Sequence, residues 1–150
     1  MKKKYSSSVL SSSFRIITPF TLIYGVYVFL DGEISPGGGF QAGALLAVGV
    51  LLARLILGFD TKFNVLGKTS VVMAGLGTFL YAFTGWLTIF GGADYFLNYD
   101  YMPIVLEPKH EMHAMGIFLI EIGVAICVMM TIINLLDAIV KRGEDDGSVE

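Results

Sequence analysis

Residues 115–130 read MGIFLIEIGVAICVMM, and the apolar run around them extends from 112 to 136 with Glu121 as its only charged residue. A bilayer core of about 30 Å is crossed by roughly 20 helical apolar residues, so this run is long enough to span it. Three further runs approach that length, at 14–30, 40–57 and 69–90. None alternates polar with apolar residues as a membrane barrel strand does, and an open sheet in lipid leaves backbone groups unpaired. The sequence therefore predicts an all-α membrane protein of four transmembrane helices, with a Gly-rich turn between the first and second.

Composition agrees. The 150 residues are 55% hydrophobic and only 15% charged, with a mean hydropathy of +0.72, whereas a soluble domain carries roughly a quarter charged residues. The net charge of −3 is less informative than its distribution. Lys2, Lys3, Lys4 and Arg15 lie before or at the first helix. Arg54, Lys62 and Lys68 lie around the second connection, and Lys141 and Arg142 follow the fourth helix. The opposite side has Lys109 among Asp31, Glu33, Asp94, Asp100, Glu107 and Glu111. Basic residues accumulate on the cytoplasmic side, so both termini are expected there.

The expected organisation is a cytoplasmic tail at 1–13, a transmembrane domain at 14–140 and a polar, frayed cytoplasmic tail at 141–150. The start MKKKYSSSVLSSSF is basic, but serines interrupt it and no cleavage pattern follows the first apolar run, so it reads as a tail rather than a signal peptide. No basic patch with interleaved aromatics supports nucleic-acid binding. Cys127 is the single cysteine, which excludes an internal disulfide.

The first connection, DGEISPGGGFQAGALLA at 31–47, raises a phosphate question. A Walker loop needs Lys and Ser or Thr at the helix start, and a dinucleotide loop needs a preceding strand; neither is here. What remains is backbone geometry. Pro36 fixes its own φ, while Gly37, Gly38 and Gly39 allow a sharp re-entry ahead of Gln41. Irregular backbone at membrane depth is tolerated where protein or a hydrated cavity satisfies it. Gly39, Gly43 and Ala47 then place small residues every four positions, which lets a neighbouring helix approach closely. Ala74, Thr78 and Ala82 suggest a similar stripe on the third helix.

Ionisable groups inside or beside the membrane mark the candidate ion and proton path. Glu121 comes first, because a carboxylate at membrane depth must be protonated, paired or hydrated, the situation of a group that exchanges protons or bridges helices. At the outer start of the last helix, KHEMHAMG brings His110, Glu111 and His113 together, with His113 about 12 Å from Glu121 along the helix. Their spacing does not put three ligands on one helical face, so no metal is assigned. Asp31 and Glu33 precede the glycines, either drawing cations toward the turn or lying solvated in the loop. Asp60 and Asp137 read as boundary residues. The outer connection GGADYFLNYDYMPIVLEPKHE at 91–111 suits the headgroup level through Tyr95, Phe96, Tyr99 and Tyr101, as does Trp86 on the third helix, and its length favours a folded segment over a tight turn.

The nonapeptide SPGGGFQAG at 35–43, preceded by TPFTLIYGVYVFLDGE, resembles the MnhB family, the B-type subunits of multisubunit Na⁺/H⁺ antiporters that also occur in membrane-bound hydrogenases and related respiratory complexes. GIFLIEIGVAICV at 116–128 is similar to that family's last helix. Glu33 and Ala42 depart from the pattern, where the family often has His and Gly. The resemblance implies a small subunit in a prokaryotic cell membrane that contributes to ion translocation, with other subunits and the lipid bilayer as partners and Na⁺ and H⁺ as transported ions. The alternative is a purely structural assembly subunit with no ion path of its own. No nucleophile–base arrangement or cofactor motif supports a catalytic site, so no cofactor is expected and any redox chemistry would belong to the complex. One Gly-interrupted segment without an internal repeat is too little for a complete alternating-access transporter, so the chain is expected to work inside a complex.

Overall fold

A computed structural model describes residues 8–32, 38–57, 67–103 and 109–146. It contains four long helices, α1 (Ser8–Leu30), α2 (Gly38–Leu57), α3 (Lys68–Phe90) and α4 (Lys109–Asp146), with a short 3₁₀ turn at Tyr99–Tyr101 before α4. There is no strand among the described residues. All four helices are long and apolar enough to cross a membrane. In hydrocarbon no water can bond a free N–H or C=O, so an apolar run of this length folds as a helix that satisfies its own backbone.

The helices outrun the apolar runs at two ends. α1 begins at Ser8 instead of Phe14, and the Ser13 hydroxyl donates to the Val9 carbonyl at 2.9 Å, so this serine spends its side chain on the helix itself. α4 continues to Asp146, through residues expected to fray. Once nucleated, a helix extends at small cost per residue through Lys, Arg, Glu and Asp.

The helices associate in the order α1, α2, α4, α3, so the first and third flank a central pair. Hydrophobic burial does little to drive association in lipid. Close packing and interhelical hydrogen bonds carry it instead. Along the α2–α4 seam Gly39 faces the Glu121 backbone, Gly43 faces Ala125 and Arg54 meets Asp137, a near-constant offset of 82–83 residues. A constant positive offset means that α2 and α4 run parallel. The small-residue face Gly39, Gly43 and Ala47 is therefore the contact face for α4. Ala47 and Ile133 are fully buried, and with Val50 they form a dry centre packed by Leu22, Met129 and Ile132.

The α3–α4 pair is antiparallel. Ser70 donates to Asn134 Oδ1, and a Cβ on Gly77 would meet the Gly123 carbonyl at 2.6 Å and the Cys127 nitrogen at 2.7 Å. The close approach runs through Gly77, a residue the Ala74, Thr78 and Ala82 stripe omits. Thr78 is exposed at the edge of the contact, with its hydroxyl 3.3 Å from Cys127 Sγ.

These registers set depth. Glu121 is level with residues near Phe83 on α3, about 10 Å from the C-terminal end of that helix at 1.5 Å per residue.

Candidate functional site

The first connection brings together glycines and the one charged residue of the last apolar run. α1 ends with the Asp31 N–H donating to the Tyr27 carbonyl at 3.0 Å, and Gly32 follows. A Cβ on Gly32 would lie 2.6 and 2.8 Å from the two oxygens of Glu121 and 2.7 Å from Gly38 Cα. A Cβ on Gly38 would overlap Glu121 Oε1, and Gly38 has φ +26°, a conformation other residues resist. A Cβ on Gly39 would overlap the Glu121 carbonyl. The carboxylate is thus walled by two residues without side chains, with Gly39 against the Glu121 backbone, and it is engaged there rather than free. One turn above it, the Phe29 and Phe118 rings meet at 5.5 Å between centroids.

Two influences oppose each other at this carboxylate. Low-dielectric surroundings penalise its charge. The first turn of α2, whose N–H groups have no intrahelical partner and carry the positive end of the helix dipole, favours it. A side chain held between these influences suits proton exchange, and the same geometry also suits a helix bridge.

The outer cluster is built differently. His113 Nε2 lies 2.8 Å from Asp100 Oδ1, with both side chains about half exposed, and the His113 ring meets Tyr99 edge-on. A Cβ on Gly116 would overlap the Tyr99 ring, and one on Gly85 the Phe96 ring, so the outer segment seats its aromatics on bare positions of α4 and α3. The Leu97 N–H donates to Thr88 Oγ1 at 3.2 Å and the Ala93 N–H to the Thr88 carbonyl at 3.1 Å. The segment is folded onto the helices, and Phe96 and Tyr99 are packing residues. Burial raises the Tyr99 phenol above its ordinary 10.0, with the nearby Tyr81 adding to the rise.

The expected chain of ionisable groups is therefore divided. Glu121 faces α2, whereas Gly116, Gly123 and Cys127 of the same helix face the outer segment and α3. His113 is held by Asp100 on that second side and does not meet Glu121. Glu111 is exposed, and of His110 only the helical backbone position is described. Asp31 is half-buried beside Gly32. Glu33, Pro36 and Gly37 lie outside the described residues. Gln41 is exposed on the face of α2 turned away from α4. Among the described residues no three His, Cys, Asp or Glu side chains converge as a metal site.

One pair escaped the sequence reading. Arg54 Nη1 donates to Asp137 Oδ1 at 2.9 Å, with side chains 5% and 14% exposed, so a residue counted with the second connection and one read as a boundary residue form a buried ion pair. A signal for it exists: Arg54 follows Gly38, and Asp137 follows Glu121, by the same 16 residues, which puts both pairs level on parallel helices.

A four-helix membrane-spanning chain with glycines packed around a helix carboxylate defines a class of small polytopic membrane proteins. The family described as "Domain related to MnhB subunit of Na+/H+ antiporter" matches residues 9–134, and the chain belongs to this MnhB family. It is 31% identical over 141 residues to the B-type subunit of the Na⁺/H⁺ antiporter of Alkalihalophilus pseudofirmus, covering 88% of this chain and 96% of that one. It is 24% identical over 137 residues to the Bacillus subtilis protein of the same name, covering 87% and 96%. With a putative antiporter subunit mnhB2 of Staphylococcus haemolyticus the identity is 28% over 142 residues, covering 91% and 96%.

Proposed function

We propose that this chain is the B-type subunit of a multisubunit Na⁺/H⁺ antiporter, or of a respiratory complex built on such a module, and that Glu121 exchanges protons for it at membrane depth. Family membership and four membrane-spanning helices establish the multi-pass subunit and imply other antiporter subunits as its partners. The finer reading places it in a prokaryotic cell membrane with both termini cytoplasmic and Na⁺ and H⁺ as the ions.

The observation that carries the proton role is the Glu121 carboxylate set between Gly32, at the end of α1, and Gly38, at the start of α2. A partner subunit or water reaching the turn meets an acid already set against the first turn of α2. The route does not continue along the α2–α4 seam. Between Glu121 and the Arg54–Asp137 pair lies the dry contact of Ala47, Val50 and Ile133. A proton delivered to Glu121 must therefore leave along a face shared with another subunit.

That same dry contact favours a second reading, an assembly subunit whose Glu121 only ties the turn to α4. Glu121→Gln separates the two, because the amide keeps shape and hydrogen-bonding capacity but does not titrate. In vesicles containing matched amounts of complex, the proton role predicts normal assembly with loss of most ΔpH-driven Na⁺ exchange, and partial retention in Glu121→Asp. Full exchange by the Gln variant across pH sinks the proton role and leaves the assembly reading.

A further inference from the structure

Resting on the subunit reading above, we propose that the outer face of α2 is where a transmembrane helix of another subunit docks, and that Gln41 is the polar anchor of that contact. The argument begins with depth. By the α2–α4 and α3–α4 registers, Gln41 is level with Gly123 and hence with Tyr81, about 13 Å below Phe90 and about 20 Å above Lys68 along α3. That is near the middle of the membrane.

Gln41 is exposed at this depth, and its amide makes no hydrogen bond with any other described residue. Unlike a carboxylate it has no neutral form to retreat to, and its side chain is too short to reach the headgroups. An unpaired amide in hydrocarbon is strongly disfavoured. The surrounding surface has the shape of a helix seat. Phe40, Gln41, Ala44, Leu45 and Val48 line an open groove of about 330 Å³ that is almost wholly apolar, with Ala44 as its low point. Small residues flanked by larger ones let a second helix approach, and a Gln amide then bonds across the contact.

The chemistry selects the occupant. Lipid tails fill the groove but offer the amide nothing. A second copy of this chain would satisfy it only if both Gln41 side chains met across a two-fold axis, which demands the same depth and face on each. A helix of a different subunit, with a hydroxyl, amide or open backbone carbonyl at mid-membrane, meets the requirement without that restriction. Another exposed face at this level, α3 around Phe79 and Phe83, is apolar and suits lipid.

The test places a photoreactive benzoylphenylalanine at position 41 in the intact complex in native membranes, with the same residue at Phe79 as the comparison. The expected result is a covalent adduct between this chain and another subunit from position 41, and lipid adducts alone from position 79. An adduct between two copies, or lipid adducts alone from position 41, overturns the proposal. As a second measurement, Gln41→Leu should lower recovery of the chain with the detergent-purified complex about tenfold, the worth of one interhelical hydrogen bond, while Val72→Leu on α3 leaves recovery unchanged. Unchanged recovery of Gln41→Leu overturns the anchoring role. If the unaltered chain brings down no other subunit, the antiporter reading itself fails. Lipid adducts in an intact complex remove only the docking face.

Discussion

Gly38 stands so close to Glu121 that a single added carbon would overlap the carboxylate oxygen Oε1. The glycine also holds φ +26°. Gly38→Ala therefore introduces backbone strain and a steric clash together, and it should lower stability by about 1–3 kcal/mol. The thermal inactivation midpoint of the purified complex reads this. In a Glu121→Ala background the clash disappears and only the strain remains, so the Gly38→Ala cost should shrink. An equal cost in both backgrounds would mean that the two residues do not touch.

Two glycines on α3 make a sharper comparison. Gly77 abuts Gly123 and Cys127 across the seam, whereas a Cβ at Gly75 meets nothing within 4 Å. Gly75→Ala should be neutral or stabilise by up to about 1 kcal/mol, because alanine is the better helix former. Gly77→Ala should separate α3 from α4 and reduce recovery of folded chain in mild detergent. If both behave alike, the glycine seam is not the contact.

Arg54 and Asp137 form a buried pair, so removing the carboxylate takes away the group that Arg54 Nη1 meets at 2.9 Å in a buried site. Asp137→Ala should cost about 3–5 kcal/mol, while the double change Arg54→Met with Asp137→Leu should recover most of it. Chemical denaturation of the chain in detergent measures both. A double variant no better than the single would assign Arg54 a role beyond the pair.

The outer segment carries a pH dependence of definite sign. Burial and Tyr81 raise the Tyr99 phenol above 10.0 in the folded chain. The unfolded chain loses its phenolic proton first, so the contribution of Tyr99 to folding is complete below pH 10.0 and is lost as pH rises through its folded value. Tyrosinate absorbance should show one late-titrating tyrosine, absent in Tyr99→Phe. The Phe variant should also lose less of the outer segment's protease resistance at high pH. A Tyr99 that titrates with the exposed tyrosines contradicts its packing over Gly116.

The four long helices were legible in the sequence, because four apolar runs leave the backbone no alternative in lipid. The stripe Gly39, Gly43 and Ala47 was legible as a contact face for the same reason that it works, its lack of side chains. Its partner was not, since periodicity on one helix is silent about which other helix meets it. Hence Ala74, Thr78 and Ala82 suggested a stripe that omits Gly77, and Arg54 and Asp137 read as separate charges. Glu121 was conspicuous by its isolation among apolar residues. Its seat at Gly32 and Gly38 depends on the parallel register of α2 and α4, a relation between segments over 80 residues apart. His113 looked aligned with Glu121 along one helix, but eight residues rotate the chain by about 80°, and the two groups serve different faces.

Infrared difference spectroscopy on the reconstituted complex tests most directly whether Glu121 exchanges protons at membrane depth. A pH step, or a Na⁺ step at fixed pH, should change a protonated-carboxyl C=O band in the unaltered complex, and that band should be missing in Glu121→Gln at matched complex content. A carboxyl difference spectrum identical in the two complexes would contradict the proton role and leave Glu121 as the tie between the glycine turn and α4.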